Sequence, residues 1–295
     1  MMKVGVIGAG PAGMSAAIYL CSEGADVTVI ERFSESAYDR YHSICGAGIG
    51  RDVFRRLKYV EPVCVRNNVD SAVLHFPGGT DVSMPVKGYV LDRPAFLKHH
   101  LRICAEKGCK FIHGEAEDVI LSDGNPCILL NDGTSVNCDR LIACDGASSL
   151  IRKRVFKSRP RYVTPAEEFV IDGPSEPVFH MYLEGDISGA YKWNFPSGNL
   201  CNVGSVSGRF RPDTYISNGT RTIPTGGVPV YEKQGITLAG DSGGMANPIC
   251  YGGLRSALLA GQEAARCALS GREGNFTKWW MRSRMSDPRF SRMRD

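Results

Sequence analysis

The chain has no uninterrupted apolar run approaching the roughly 20 residues that a membrane-spanning helix needs. Its 295 residues are 43% hydrophobic, but in short, periodic groups. Excess charge is also scarce: 35 Lys and Arg against 31 Asp and Glu leave a formal net charge of +4, too little to imply a nucleic-acid partner. The first residues run directly into a strand and a glycine turn, without the charged and apolar parts of a secretory leader. A cytoplasmic location is therefore expected, with contact at a membrane surface left open. There are 11 cysteines, yet no CxxC pair. Zinc and iron–sulfur sites usually draw on closely grouped ligands, so no metal centre is expected. Cys21, Cys104, Cys109, Cys138 and Cys267 read as free, mostly buried thiols. No acid–base–nucleophile triad is legible, and His42 and His180 read as structural or solvent-exposed rather than catalytic.

What is present starts at the N-terminus. Lys3 to Ile7 is a β-branched run, Gly8-Ala9-Gly10-Pro11-Ala12-Gly13 follows, and apolar residues then recur with helical spacing to Leu20. After Gly24, Asp26 to Glu31 reads as a second strand. In such a unit Gly8 permits the tight turn, Gly10 lets a pyrophosphate approach the backbone, and Gly13 lets the helix pack on the sheet. The free amides of the helix N-terminus face the phosphate charge, and the Glu31 carboxylate can accept from a ribose. ADP binding is the expectation.

Residues 33–50 read as a long polar excursion lying over a ligand, in which Gly46, Gly48 and Gly50 would let backbone and cofactor meet. Residues 69–90 look like hairpins, 94–107 a helix with Pro94 in its first turn, and 139–144 a strand ending at Asp145-Gly146-Ala147. The stretch 160–222 is rich in strand formers and aromatics. A short strand before Gly240-Asp241 and a helix over 254–269 complete the reading. The fold class expected is α/β: a Rossmann-type FAD-binding domain from 1–68, 91–155 and 223–295, with a smaller, mainly β substrate domain from 69–90 and 156–222.

Four motifs in fixed order resemble the geranylgeranyl reductase family of FAD-dependent oxidoreductases, related to the aromatic ring hydroxylase group. They are Gly8-x-Gly10-x-x-Gly13 with Glu31; Asp92-Arg93; Asp145-Gly146-Ala147-Ser148-Ser149 with Arg152; and Gly240-Asp241 with Asn247 to Leu254. Cys45-Gly46-Ala47-Gly48 is similar to that family's cysteine–glycine segment, and Tyr191 to Pro196 with Asn202-Val203-Gly204 to its aromatic substrate motif. The resemblance implies FAD with adenine and ribose near Ala12, Glu31 and Ala116, and phosphate or ribityl contacts at Arg93 and Asp241, with Asp145 in the cofactor set. It implies a flavin side lined by Cys45, Gly46, Gly48, Gly253 and Leu254. Only a short tail follows the last helix, whereas typical members are longer, which implies a smaller or more open pocket.

The resemblance also implies the chemistry: hydride delivery to an isolated carbon–carbon double bond of a prenyl or polyprenyl lipid, completed by a proton. Cys45 is the candidate for proton donor or site-shaping thiol, with flavin-side packing as its other reading. Tyr191, Trp193 and Phe195 alternate on one strand face as an apolar wall for an isoprenoid or as sheet core. Phe276 to Arg282 reads either as a membrane-touching stretch or as a core cap, and Pro288 speaks against a continuous long helix. Alternatives are an aromatic hydroxylase or halogenase, although no halogenase lysine is evident, and a nonenzymatic flavin electron-transfer protein. No second glycine-rich nucleotide unit is visible, so electrons are expected from transient NADPH, reduced ferredoxin or another donor. The oligomeric state is not legible.

Overall fold

A computed structural model describes residues 1–174, 176–183, 191–206 and 210–283; Pro288 lies outside the described residues. In chain order, β1 (Lys3–Ile7), α1 (Pro11–Ser22), β2 (Asp26–Glu31), α2 (Glu35–Ser43) and β3 (Gly48–Gly50) are followed by the long hairpin β4 (Val65–Phe76) and β5 (Thr80–Leu91). Then come α3 (Arg93–Glu106), β6 (Lys110–His113), β7 (Ala116–Ser122), β8 (Asn125–Leu130), β9 (Ser135–Asn137), β10 (Arg140–Ala143) and α4 (Leu150–Arg154). The remainder is β11 (Tyr162–Asp172), β12 (Val178–Leu183), β13 (Tyr191–Ser197), β14 (Leu200–Val206), β15 (Ser217–Thr225), β16 (Glu232–Lys233), β17 (Ile236–Leu238), α5 (Leu254–Ser270) and α6 (Asn275–Arg282).

Two large sheets carry the architecture. The first has six strands in the order β16-β17-β10-β1-β2-β6, parallel except at the β16 edge. Its central strands bury both faces, which is why Val4, Val6, Val29, Leu141 and Ile142 form near-continuous apolar runs. α1 is covered by both the sheet and α5. A Cβ at Gly13 would collide with the Gly8 carbonyl oxygen, and one at Gly261 with that of Ala12, while Ser15 Oγ donates to Leu258 O at 2.7 Å. The second sheet has eight strands in the order β15-β11-β14-β13-β12-β4-β5-β3, largely antiparallel, with β12 parallel to β4. β7, β8 and β9 form a separate three-stranded sheet.

Two sequence expectations change, and one of the two readings of the C-terminal aromatics gains support. The sheet expected to be the smaller one has the larger strand number, and it takes Gly48–Gly50 and the start of β4 from the stretch assigned to the cofactor half. The excursion over 33–50 contains a helix, α2, entered at Ser34 with Glu35 in its first turn and Arg40 in its last, charges that suit the helix dipole. In α6, Phe276 and Trp280 are buried and the Trp280 indole donates to Tyr231 Oη at 2.9 Å, so these aromatics cap the core. No helix among the described residues is long and apolar enough to cross a membrane.

Candidate active site

The glycine turn is built by backbone need. Gly8 leaves β1 with φ +91°, a left-handed conformation that a side chain disfavours, and its N–H donates to Ile30 O at 2.8 Å. Gly10 then opens α1. Among the described residues no side chain caps that end, and the first turn holds no acidic residue. Its amides are therefore left for an anion. Glu31 flanks the turn: one carboxylate oxygen accepts from Ala9 N at 2.7 Å and the other from Phe33 N at 2.9 Å. The Gly114 N–H donates to Glu31 O, and Ala116, half-buried, starts β7 two residues on.

A second group closes over the same end of the sheet. Asp145 follows β10; its Oδ2 accepts from Ile151 N at 3.1 Å, whereas Oδ1 is buried with no partner among the described residues. Burial raises its pKa against the local N–H and hydroxyl donors. Arg152 is buried and donates to Ala147 O at 2.6 Å and Ser242 O at 2.9 Å, tying the loop after β10 to the loop after β17. Asp241 stands in that second loop, its pKa also raised by burial and pulled back by Arg221, Arg93 and Arg152. Beside it Gly253 opens α5, another helix N-terminus that no side chain among the described residues caps, with Leu254 buried as the first helical residue. Two uncapped helix ends, the unpaired Asp145 Oδ1 and the unpaired buried Nε of Arg93 make a set of donors and acceptors that fits an extended dinucleotide with two phosphates.

The segment from Tyr41 to Gly50 runs between the two sheets. Arg93, the first residue of α3, meets His42 Nδ1 at 3.0 Å. Burial, then Arg93 and Arg221, lower the His42 pKa to about 2, so the ring is neutral and has no proton to trade near neutral pH. His180 lies elsewhere, stacked on His75 on β4. Both Cys45 backbone groups are held by the eight-stranded sheet: N–H donates to Glu168 Oε1 at 2.7 Å, and the carbonyl accepts from Asn202 Nδ2 at 3.4 Å. The Cys45 Sγ accepts from Ala47 N at 3.3 Å. Arg221 donates to Tyr41 O at 2.6 Å and Ile44 O at 3.3 Å, and stacks on the Tyr41 ring at 3.3 Å.

Gly46 and Gly48 serve the sheet side of this segment. A Cβ on Gly46 would stand 3.0 Å from the Phe195 ring, and one on Gly48 3.0 Å from Phe179. The space that sequence reasoning reserved for close cofactor approach is, on that side, filled by aromatic rings. Tyr191, Trp193 and Phe195 do share one face of β13 and look toward this segment; Tyr191 Oη donates to Cys250 O at 2.6 Å. Tyr191 and Trp193 are buried, and Phe195 packs on Phe179 with ring centroids 4.5 Å apart.

A family model described as FAD binding domain matches residues 1–43. The digeranylgeranylglycerophospholipid reductase 1 of Methanosphaera stadtmanae is 30% identical over 92% of this chain and 76% of its own length. The chain belongs to the digeranylgeranylglycerophospholipid reductase family. It is an FAD-binding oxidoreductase. The Methanopyrus kandleri reductase 1 is 28% identical over 92% of this chain and 81% of its own. Among solved structures, a geranylgeranyl bacteriochlorophyll reductase-like protein from Thermoplasma acidophilum superposes with a TM-score of 0.79 at 23% identity, covering 99% of this chain and 85% of that one. A flavin-dependent brominase reaches 0.75 at 17% identity, covering 95% and 83%. Both share the fold.

Sequence reasoning missed three residues that this reductase-family chain brings to the Cys45 turn: Glu168, Asn202 as a ligand of the turn rather than a motif letter, and Arg221. For Glu168 a signal existed. Glu167 and Glu168 are adjacent in a strand, and alternation obliges one of them to face the buried side.

Proposed function

We propose that this protein saturates carbon–carbon double bonds of a prenyl or polyprenyl lipid by flavin hydride transfer. The observation that carries the reading is an apolar row across four strands of the eight-stranded sheet: Trp193, Met181, Leu74 and Val82 stand in register on β13, β12, β4 and β5. It starts buried beside the Cys45 turn and ends exposed, with Trp193 at 9% and Val82 at 43%. Phe76 and Met84 are exposed on the same hairpin. A long hydrocarbon gains by lying along such a face, because each methylene removed from water contributes roughly 0.8 kcal/mol. The names of the curated relatives, reductases of a digeranylgeranylglycerophospholipid, agree with that substrate class.

In this reading the six-stranded sheet with its glycine turn is a Rossmann-type cofactor half, and the eight-stranded sheet a substrate half. Gly8, Gly10 and Gly13 receive the pyrophosphate, and Ala12, Glu31 and Ala116 the adenosine. Arg93, Asp145 and Asp241 hold the phosphate and ribityl portion, and Cys45, Gly46, Gly48, Gly253 and Leu254 line the flavin. Bound and reduced FAD supplies the hydride. The chain's own residues orient the alkene: Tyr191, Trp193 and Phe195 exclude water and fix the hydrocarbon, and the Cys45 thiol shapes the turn nearest the reacting carbons. Electrons come from a transient donor, NADPH or a reduced carrier such as ferredoxin.

The test is anaerobic mixing of the FAD-reduced protein with a panel of prenylated lipids, following flavin absorbance and product mass together. Flavin oxidation with a gain of two hydrogens in the product is expected. Oxygen consumption in step with substrate, with no such product under anaerobic conditions, would transfer the protein to hydroxylase or halogenase chemistry. Binding of FAD with no substrate-dependent turnover would leave electron transfer.

A further inference from the structure

One row across the eight-stranded sheet reads Gly219, Glu168, Gly204, Trp193 on β15, β11, β14 and β13. A Cβ on Gly204 would collide with the Trp193 indole, and a Cβ on Gly219 with the side chain of Ile44. The missing side chains let the indole lean across β14 from one flank and Ile44 lean across β15 from the other. Glu168 lies between them, 4% exposed. One of its oxygens accepts the Cys45 N–H at 2.7 Å. The other has no hydrogen-bond partner among the described residues, and neither has the Trp193 Nε1, although the indole N–H is turned toward the same carboxyl closely enough to pull its pKa down.

The donors and cations around this carboxyl come from four parts of the chain. The Cys45 turn offers a backbone N–H, β13 the indole N–H of Trp193, and α3 and β15 the cations of Arg93 and Arg221. Asn202 on β14 is spent on the Cys45 carbonyl, and Arg221 on the carbonyls of Tyr41 and Ile44. A carboxylate out of water needs several donors, and here one closes on it. Burial therefore wins over the arginines, and the Glu168 pKa is pushed up to about 8.

We propose that Glu168 is the acid of the site: a neutral buried carboxyl that positions Cys45 through one oxygen and keeps on the other the proton that alkene saturation consumes. This rests on the prenyl-reductase reading above. Saturating one double bond takes a hydride to one carbon, supplied by the reduced cofactor, and a proton to its neighbour. Glu168 loses that proton and becomes a carboxylate; the proton is recovered from solvent before the next turnover. The carboxylate so formed keeps the Cys45 N–H and has the Trp193 N–H turned toward it, and the nearby cations of Arg93 and Arg221 offset part of the cost of its burial. The thiol of Cys45 lies on the same turn, so Glu168 also sets where that group stands.

Glu168→Gln tests this, because the amide oxygen can still accept from Cys45 N while no acidic proton remains. Two measurements are made on wild type and E168Q. Infrared spectroscopy of the flavin-free protein is expected to show the carbonyl band of a protonated, buried carboxyl at ~pH 6, fading by ~pH 10 and missing in E168Q. Single-turnover oxidation of the reduced holoenzyme by the lipid that wild type turns over is expected to slow by at least about 100-fold in E168Q, the usual range for losing a general acid, with FAD retention unchanged. A wild-type spectrum without the band overturns the neutral acid; unchanged single-turnover rates in E168Q overturn the proton role. If wild type itself reduces no prenyl lipid, the function proposed above fails, and with it the proton role. The infrared result then decides separately whether Glu168 is a neutral acid.

Discussion

At His42 and Glu168 burial acts on opposite charge types, and the two side chains push stability in opposite pH directions. His42 has its pKa lowered to about 2 by burial and the neighbouring arginines. The folded protein thus favours the neutral ring, and the stability linked to it is present above the ordinary histidine pKa and lost as pH falls below it. Glu168 is raised to about 8 by burial. Its contribution is fully present below the ordinary glutamate pKa and is lost as pH rises through about 8. Between the ordinary histidine pKa, above which His42 adds no further slope, and about 8, wild type is therefore expected to lose stability with a slope of up to roughly 1.4 kcal/mol per pH unit from Glu168. Urea denaturation across that window should show a flatter profile for E168Q. Equal slopes in the two proteins would mean that Glu168 ionises normally. Gly204→Ala probes the same pocket sterically, since its Cβ would meet the Trp193 ring and the Glu167 carbonyl. A loss of about 1–3 kcal/mol in urea denaturation is expected from such overpacking, and an unaffected midpoint would mean the indole is free to move aside.

Among the elements, those defined by a single strong period were legible and those defined by partners were not. β1, α1 and β2 announce themselves through the glycine turn between a β-branched run and a helical one, and α5 through its long apolar stripe. α2 was not legible because only Tyr38 and His42 of its nine residues are buried, and neither marks an apolar face; the Ser34-Glu35 entry was its one local signal. β3 is three residues long and exists because β5 pairs with it, which no local pattern states. The candidate site divides the same way: the ordered motifs supply Gly10, Glu31, Arg93 and Asp241, whereas Glu168 and Arg221 depend on strand register. The element most exposed to a single change is α1. Its uncapped N-terminus is held in place by α5, whose Gly261 leaves no room for a Cβ above the Ala12 carbonyl. Gly261→Ala should shift α1 from the glycine turn and weaken FAD binding by about tenfold, roughly 1.4 kcal/mol, read by flavin fluorescence on titration. Asp241→Ala should weaken it as well, through lost ligation rather than helix placement. An α1 shift without affinity loss would separate the helix end from cofactor binding.

Over the whole molecule, the two large sheets are coupled through the chain between Tyr41 and Gly50. Arg221 grips it at Tyr41 and Ile44, Glu168 and Asn202 at Cys45, and β5 pairs with its last three residues. The same segment faces the glycine turn at the end of the six-stranded sheet, where a Cβ on Gly10 would stand 3.4 Å from the His42 ring. A cofactor lodged against it would thus bind one folded body made of both sheets, and ligand binding to the native state alone stabilises that body by mass action, about 2.7 kcal/mol at a hundredfold excess over Kd. Arg221→Ala removes the grip at Tyr41 and Ile44. It leaves two carbonyls without their donor and strips the cation from the Tyr41 ring, a loss on the order of 1–3 kcal/mol of local stability. Limited proteolysis of the flavin-free protein should then cut within residues 41–50 roughly tenfold faster than in wild type, because cleavage follows the population of the opened segment. Saturating FAD should restore most of the protection in the variant. If cleavage there is unchanged by the substitution, the contacts at Cys45, the β5 pairing and the packing of Gly46 and Gly48 against Phe195 and Phe179 hold the segment without Arg221.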